Sequence, residues 1–125
     1  MDSNTGDESI QSRLQVGLRV ALKAKDTVTT SALRSALAAI ANAEAVPVEH
    51  RSAAGSQHIA GGAAWLASAE AERKVLTREE TGRIVEDEIS DRQAAARQYE
   101  AAGRSERAAR LRREAQAIRT VLGNR

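Results

Sequence analysis

The sequence predicts an all-α fold: two helical hairpins packed as a small helical bundle, joined by a loop or short helix. Three observations carry this. The chain is rich in Ala, Arg and Glu, with one Pro, no Phe, one Trp and one Tyr, so residues that favour strands are scarce. Apolar residues recur three and four positions apart in four separate segments. Those segments begin and end at residues that start or stop helices: Asp26, Pro47, Thr77 and Gly103.

Met1 to Ser9 (MDSNTGDES) is polar and acidic, without apolar anchors, and reads as a disordered N-terminus preceding one helical domain over 10–125. The first helix is expected over 10–25, with Ile10, Leu14, Leu18, Ala21 and Leu22 as its apolar stripe. Lys23 and Lys25 fall in its last turn, where positive charge suits the helix dipole. Asp26 is a candidate N-cap for a second helix over 27–45, with a stripe of Leu33, Leu37, Ile40 and Ala41, and Pro47 stops it. Segment 47–75 holds Gly55, Gly61, Gly62 and scattered Ser, and is read as a loop; Ile59, Trp65 and Leu66 would allow a short helix or strap.

The third helix is expected over 77–102. Thr77 followed three residues later by Glu80 forms a capping box, in which side chain and backbone satisfy each other's free donors. Ile84, Val85, Ile89, Ala95, Ala96 and Tyr99 lie on one face. Gly103 closes this helix, because glycine accepts a left-handed backbone. The fourth helix, over 104–122, has one apolar seam of Ala108, Leu111, Ala115, Ile118 and Leu122.

Composition sets bounds on function. The chain has 125 residues, enough for one domain with a modest core built from Leu, Ile, Val and many Ala. It has no cysteine, which excludes disulfides and thiolate metal sites. No apolar run approaches the roughly 20 residues of a membrane span, and the N-terminus resembles neither a signal peptide nor a transit sequence. A cytoplasmic protein with no membrane association is expected. His50 and His58 have no carboxylate or cysteine at ligand spacing and are read as solvated loop histidines; no metal and no cofactor is expected.

Net charge is +2, so no overall field points to nucleic acid. Locally the balance is uneven. Residues 77–103 carry four arginines against seven acids, whereas 104–125 carry seven arginines against Glu106 and Glu114. The two arms of the second hairpin are therefore expected to attract each other.

Four charged residues break or flank the apolar stripes: Arg34, Glu44, Glu88 and Arg92. They admit an acid–base carboxylate pair or a phosphate-binding arginine. The favoured reading is structural, an ion-pair network fixing how helix two packs on helix three. No nucleophile, histidine or glycine-rich phosphate cradle lies near them in sequence. Glu88 and Arg92 are also spaced as an (i, i+4) pair in the favourable order. No G-x-S-x-G, P-loop or metal-ligand spacing occurs, so no catalytic residue is nominated. Arg104, Arg107, Arg110 and Arg113, with Lys23 and Lys25, are the candidate RNA-contacting residues. The competing reading is a solvated face with Glu100–Arg104 and Glu106–Arg110 pairs. Tyr99 and Trp65 are the only aromatics, which argues against single-strand readout by stacking.

Two blocks resemble a known family. Lys23 to Asp26, Leu33, Arg34, Leu37, Ile40, Asn42, Ala43 and Glu44 follow a pattern "K-A-K-D, then L-R-x-x-L-x-x-I-x-N-A-E". Leu76, Thr77, Glu88, Arg92, Tyr99 to Arg104 and Ala108 follow "L-T, then E-x-x-x-R, then Y-E-x-A-G-R-x-x-x-A". Both are similar to the YqeY-like proteins, which share the GatB/YqeY domain with the C-terminal region of the B subunit of tRNA-dependent amidotransferases. The resemblance implies an all-helical domain and kinship with enzymes that convert misacylated Glu-tRNA or Asp-tRNA to the amide form. The associated activity is carbon–nitrogen ligation with glutamine as amide donor. The family's usual C-terminal tail domain, which resembles the part that contacts tRNA, and the subunit's ATP-dependent catalytic cradle have no counterpart in this sequence. The expectation is thus a non-catalytic accessory module related to these amidotransferases and contacting tRNA. The alternative is a protein-docking or self-association module with no RNA role.

Overall fold

The computed structural model describes residues 9–45 and 74–123. The N-terminal segment, the core of the 47–75 loop, His50, His58 and Trp65 lie outside the described residues. Four helices make up the rest: α1 (Ile10–Ala24), α2 (Thr27–Ala45), α3 (Arg78–Ala101) and α4 (Ser105–Leu122). The α1–α2 and α3–α4 hairpins pack on each other as a small helical bundle, chiefly through α2 against α4. Each helix lies within two residues of its expected bounds, and Lys74 to Thr77 leads into α3 without helical structure.

Local chemistry sets these boundaries. The Ser9 hydroxyl accepts from the Ser12 N–H at 3.0 Å and caps α1. Lys25 ends α1 in a left-handed conformation (φ 58°). The Asp26 N–H reaches back to the Ala21 carbonyl at 2.9 Å, while its carboxylate accepts from the Thr29 N–H at 3.0 Å and the Thr29 hydroxyl at 2.7 Å. One residue therefore closes α1 and starts α2, making the connection a two-residue turn. These hydrogen bonds hold the Asp26 carboxyl below its ordinary range.

The Thr77 capping box is complete. The Thr77 hydroxyl accepts from the Glu80 N–H at 3.0 Å, and Glu80 Oε1 accepts from the Thr77 N–H at 2.9 Å. Gly103 turns the chain between α3 and α4 at φ 82°. The Gly103 and Arg104 N–H groups satisfy the Glu100 and Tyr99 carbonyls at 3.0 and 2.8 Å.

The core joins all four helices: Leu14 from α1, Ala32, Leu33, Ala36 and Ile40 from α2, Val85 and Ile89 from α3, Ala115 and Ile118 from α4. Each fully buried Leu or Ile side chain contributes about 1.5–3 kcal/mol. The alanines contribute mainly by letting helices approach. Gly17 has the same role in α1: a Cβ there would stand 2.9 Å from Val121 Cγ2 and 3.1 Å from Leu33 Cδ1. The same contact brings α1 onto the end of α4, where the Arg13 guanidinium donates to the Leu122 carbonyl at 2.9 Å. A positive group at that terminus satisfies an orphan acceptor and complements the helix dipole.

Candidate functional site

Charged residues at the packing of α2, α3 and α4 form one continuous chain of hydrogen bonds that runs from the half-buried Ser35 to the exposed Arg110. The Ser35 hydroxyl on α2 donates to Glu88 Oε1 on α3 at 3.0 Å. Arg92, one turn along α3, donates through Nη1 to the same oxygen at 2.7 Å and to the Glu88 carbonyl at 3.2 Å. Its Nε donates to Glu114 Oε1 on α4 at 3.0 Å. Arg110 then donates through Nε to Glu114 Oε2 at 3.0 Å. Glu114 is buried, at 8% exposure. Burial works against the charge on Arg92, but its hydrogen bonds with Glu88 and Glu114 outweigh that, and its pKa is raised.

This arrangement is self-contained. Each oxygen of Glu114 accepts from a different guanidinium, and Glu88 Oε1 accepts from both Ser35 and Arg92. The bonds run from Ser35 on α2 through Glu88 and Arg92 on α3 to Glu114 and Arg110 on α4, so the network joins the second hairpin to α2.

The membership differs from the expected network. Glu88 and Arg92 pair as their spacing indicates, but Arg34 and Glu44 stand apart from them. Arg34 is exposed, with no ion pair among the described residues. It lies about 200° around α2 from buried Ala36, at 100° per residue, and so faces solvent. Glu44 is half-buried but sits nine residues beyond Ser35, about 13.5 Å farther along the helix axis. There it lines a shallow groove with Ile10, Leu76 and Arg78, and its carbonyl accepts from the Lys74 N–H at 3.0 Å. Glu114 and Arg110 occupy the places assigned to Glu44 and Arg34. Glu114 could have been found from its spacing, three residues after Leu111 and four before Ile118, on the apolar seam of α4.

The candidate RNA-contacting residues fall into separate groups. Arg104, Arg107 and Arg110 line a shallow open depression with Gly103, Ser105 and Glu106 at the tip of the α3–α4 hairpin. Arg104 and Arg107 are exposed, and the Arg107 guanidinium lies over the Tyr99 ring, 5.2 Å from its centroid. Arg110 is committed to Glu114. Arg113 lines a different depression, with Asp26, Val28 and Thr29. Lys23 and Lys25 are exposed at the end of α1. The expected Glu100–Arg104 and Glu106–Arg110 pairs are replaced by Glu100–Arg112 and Glu114–Arg110. Arg112 on α4 takes Glu100 across the hairpin, while Arg110 takes Glu114 one turn further along its own helix in place of Glu106 one turn back.

Among the described residues no three metal-ligating side chains stand together, and no helix is long and apolar enough to cross a membrane. Comparison with protein-family models, curated proteins and solved structures finds no match for this chain.

Proposed function

We propose that the chain is a non-catalytic helical accessory module, related to the GatB/YqeY domain of tRNA-dependent amidotransferases, that contacts tRNA phosphates in the cytoplasm through the basic arm of its second hairpin. One observation carries this reading. Arg92, facing inward, and Arg110, exposed beside the tip, are committed to Glu88 and Glu114, whereas Arg104 and Arg107 stand exposed at the hairpin tip with no ion pair among the described residues. Guanidinium groups displayed on a hairpin suit phosphate, and with Tyr99 the one Phe, Trp or Tyr among the described residues, backbone contact is favoured over base readout. The resemblance of the two sequence blocks supplies the tRNA class.

A filter-binding titration of tRNA at rising salt tests this. Binding at low salt that weakens steadily with salt is expected; no binding at low salt ends the reading. Amide formation on misacylated tRNA, assayed with this protein alone, is expected to be blank, and turnover would overturn the non-catalytic part.

A second reading, self-association, is favoured by Val16 and Val20, one turn apart on α1 and 45% and 61% exposed. Sedimentation separates the two. A concentration-dependent dimer that leaves tRNA unshifted supports self-association, and a monomer that shifts tRNA supports the first reading.

A further inference from the structure

The two flanks of the α3–α4 hairpin differ in how they use charge. Toward α2, arginines and glutamates neutralise each other. Elsewhere a groove runs between α3 and α4, lined by Gln93 and Arg97 from α3 and by Arg112, Ala115, Gln116 and Arg119 from α4. Helical spacing makes each rim: 93 and 97 are one turn apart, and 112, 116 and 119 step along one face of α4. Ala115, 2% exposed, is the small residue between the rims. Larger side chains at this seam would fill the groove.

The lining has one sign of charge. Three guanidiniums and two amides line the groove, and no carboxylate does. Arg112 has a partner, Glu100, but both side chains are about half-exposed, and such a pair is weak and screened by salt. Arg97 and Arg119 have no ion pair among the described residues. Arg112 and Arg119 are separated by about 10.5 Å of helix rise, so the cations are spread along the groove and do not converge on one point. A single small anion would meet only one or two of them; a chain of regularly spaced anions would meet all three. No aromatic residue lines the groove, which removes base stacking as a binding mode.

We infer that this groove binds the phosphodiester backbone of a nucleic acid, with Arg97 and Arg119 as the principal phosphate ligands. Gln93 and Gln116 donate to neighbouring oxygens, and Arg112 joins when phosphate displaces Glu100. The inference rests on the tRNA-contact reading for its partner class, and it adds to the hairpin tip a second, longer contact surface on the flank. The backbone could come from RNA or from DNA.

The test is fluorescence anisotropy on the full chain, with labelled tRNA in one arm and a labelled duplex DNA of similar length in the other. Each is titrated at several salt concentrations. Arg97→Gln/Arg119→Gln is expected to bind at least about tenfold more weakly at low salt. Its slope of log K against log salt is expected to fall by about 1.4–1.8, as for two lost phosphate contacts. Arg104→Gln/Arg107→Gln at the tip should weaken binding by less than the groove pair, and Arg19→Gln/Arg34→Gln, which removes the same charge from exposed positions of α1 and α2, should bind within about threefold of the unaltered chain. Thermal melting checks that each variant is folded, and exposed Arg97→Gln alone is the fallback if the pair is not.

Groove-variant binding equal to that of the unaltered chain overturns the groove. If the tip variant alone abolishes tRNA binding, the groove falls and the tRNA reading stands. Binding of duplex DNA but not tRNA, lost in the groove variant, upholds the groove and ends the tRNA reading. Absence of binding to both overturns both.

Discussion

Arg92 Nε on α3 stands 3.0 Å from Glu114 Oε1 on α4, with the two side chains 13% and 11% exposed. This contact, between residues 22 positions apart, ties the two arms of the second hairpin together. Arg92→Met removes the donor shared by Glu88 and Glu114 and should cost about 2–4 kcal/mol, since a nearly buried carboxylate loses a charged partner. Arg34→Ala, on the solvent face of α2, should change stability by less than about 0.5 kcal/mol. Chemical denaturation of both variants measures the difference. A double-mutant cycle on Arg92 and Glu114 should return at least about 1 kcal/mol of coupling. Zero coupling would remove the network as a tie between the two arms.

Gly17 and Gly82 are both mid-helix glycines, and they should respond to alanine with opposite signs. At Gly17 the new Cβ would meet Val121 Cγ2 at 2.9 Å and Leu33 Cδ1 at 3.1 Å, both on stiff or buried side chains. Gly17→Ala should therefore lose about 1–3 kcal/mol to overpacking, more than the gain in helix propensity restores. At Gly82 the nearest atom is Ile10 Cδ1 at 3.7 Å, an ordinary contact. Gly82→Ala should gain about 0.5–1 kcal/mol. Melting temperatures of the two variants, one lowered and one raised, check the pair.

Acid stability should depend on the helix caps. The Thr29 N–H and hydroxyl lower the Asp26 pKa, and the Thr77 N–H, helped by Lys74, lowers that of Glu80. A lowered carboxylate binds fewer protons folded than unfolded, so stability rises with pH through this window. The contribution is complete above the ordinary carboxylate values of about 4 and is lost as pH falls through the lower folded values. Asp26→Asn keeps a good cap but cannot titrate. Melting curves between pH 5 and pH 2 should fall less steeply for Asp26→Asn/Glu80→Gln than for the unaltered chain. Equal slopes would assign the acid sensitivity to other groups.

Gly103 holds φ 82° with no atom within 4 Å of where a Cβ would go. Strain there is conformational, not steric crowding by neighbours. Gly103→Ala should cost about 1 kcal/mol and Gly103→Asn less, because asparagine tolerates the left-handed region. Equal losses on denaturation would show that the turn relaxes.

Much of the fold was legible in one dimension because helix ends are local. The Thr77–Glu80 box, the Asp26 cap and the Gly103 turn each involve residues within a few positions, so their chemistry can be read from spacing alone. The Glu88–Arg92 pair was legible for the same reason. Glu114 was less so: three and four residues from apolar neighbours, it fits the seam by position but not by polarity. Arg34 and Glu44 were misplaced because an amphipathic pattern locates a face, not a height along the axis or the side of the helix a partner will approach.

Composition and periodicity by themselves determined the helical class, the four elements and the boundaries at Asp26, Thr77 and Gly103, because these depend on interactions within one or two turns; the Ser9 cap of α1, placed by the sequence reading in a disordered N-terminus, was missed. Only the tertiary structure decided which charges meet across helices. The choice of Glu114 and Arg110 over Glu44 and Arg34 follows from how far α2, α3 and α4 slide along one another before Leu33, Ile40, Ile89 and Ile118 are buried together. The same slide opens the arginine-lined groove between α3 and α4, whose residues are 15 or more positions apart across its rims and share no local pattern.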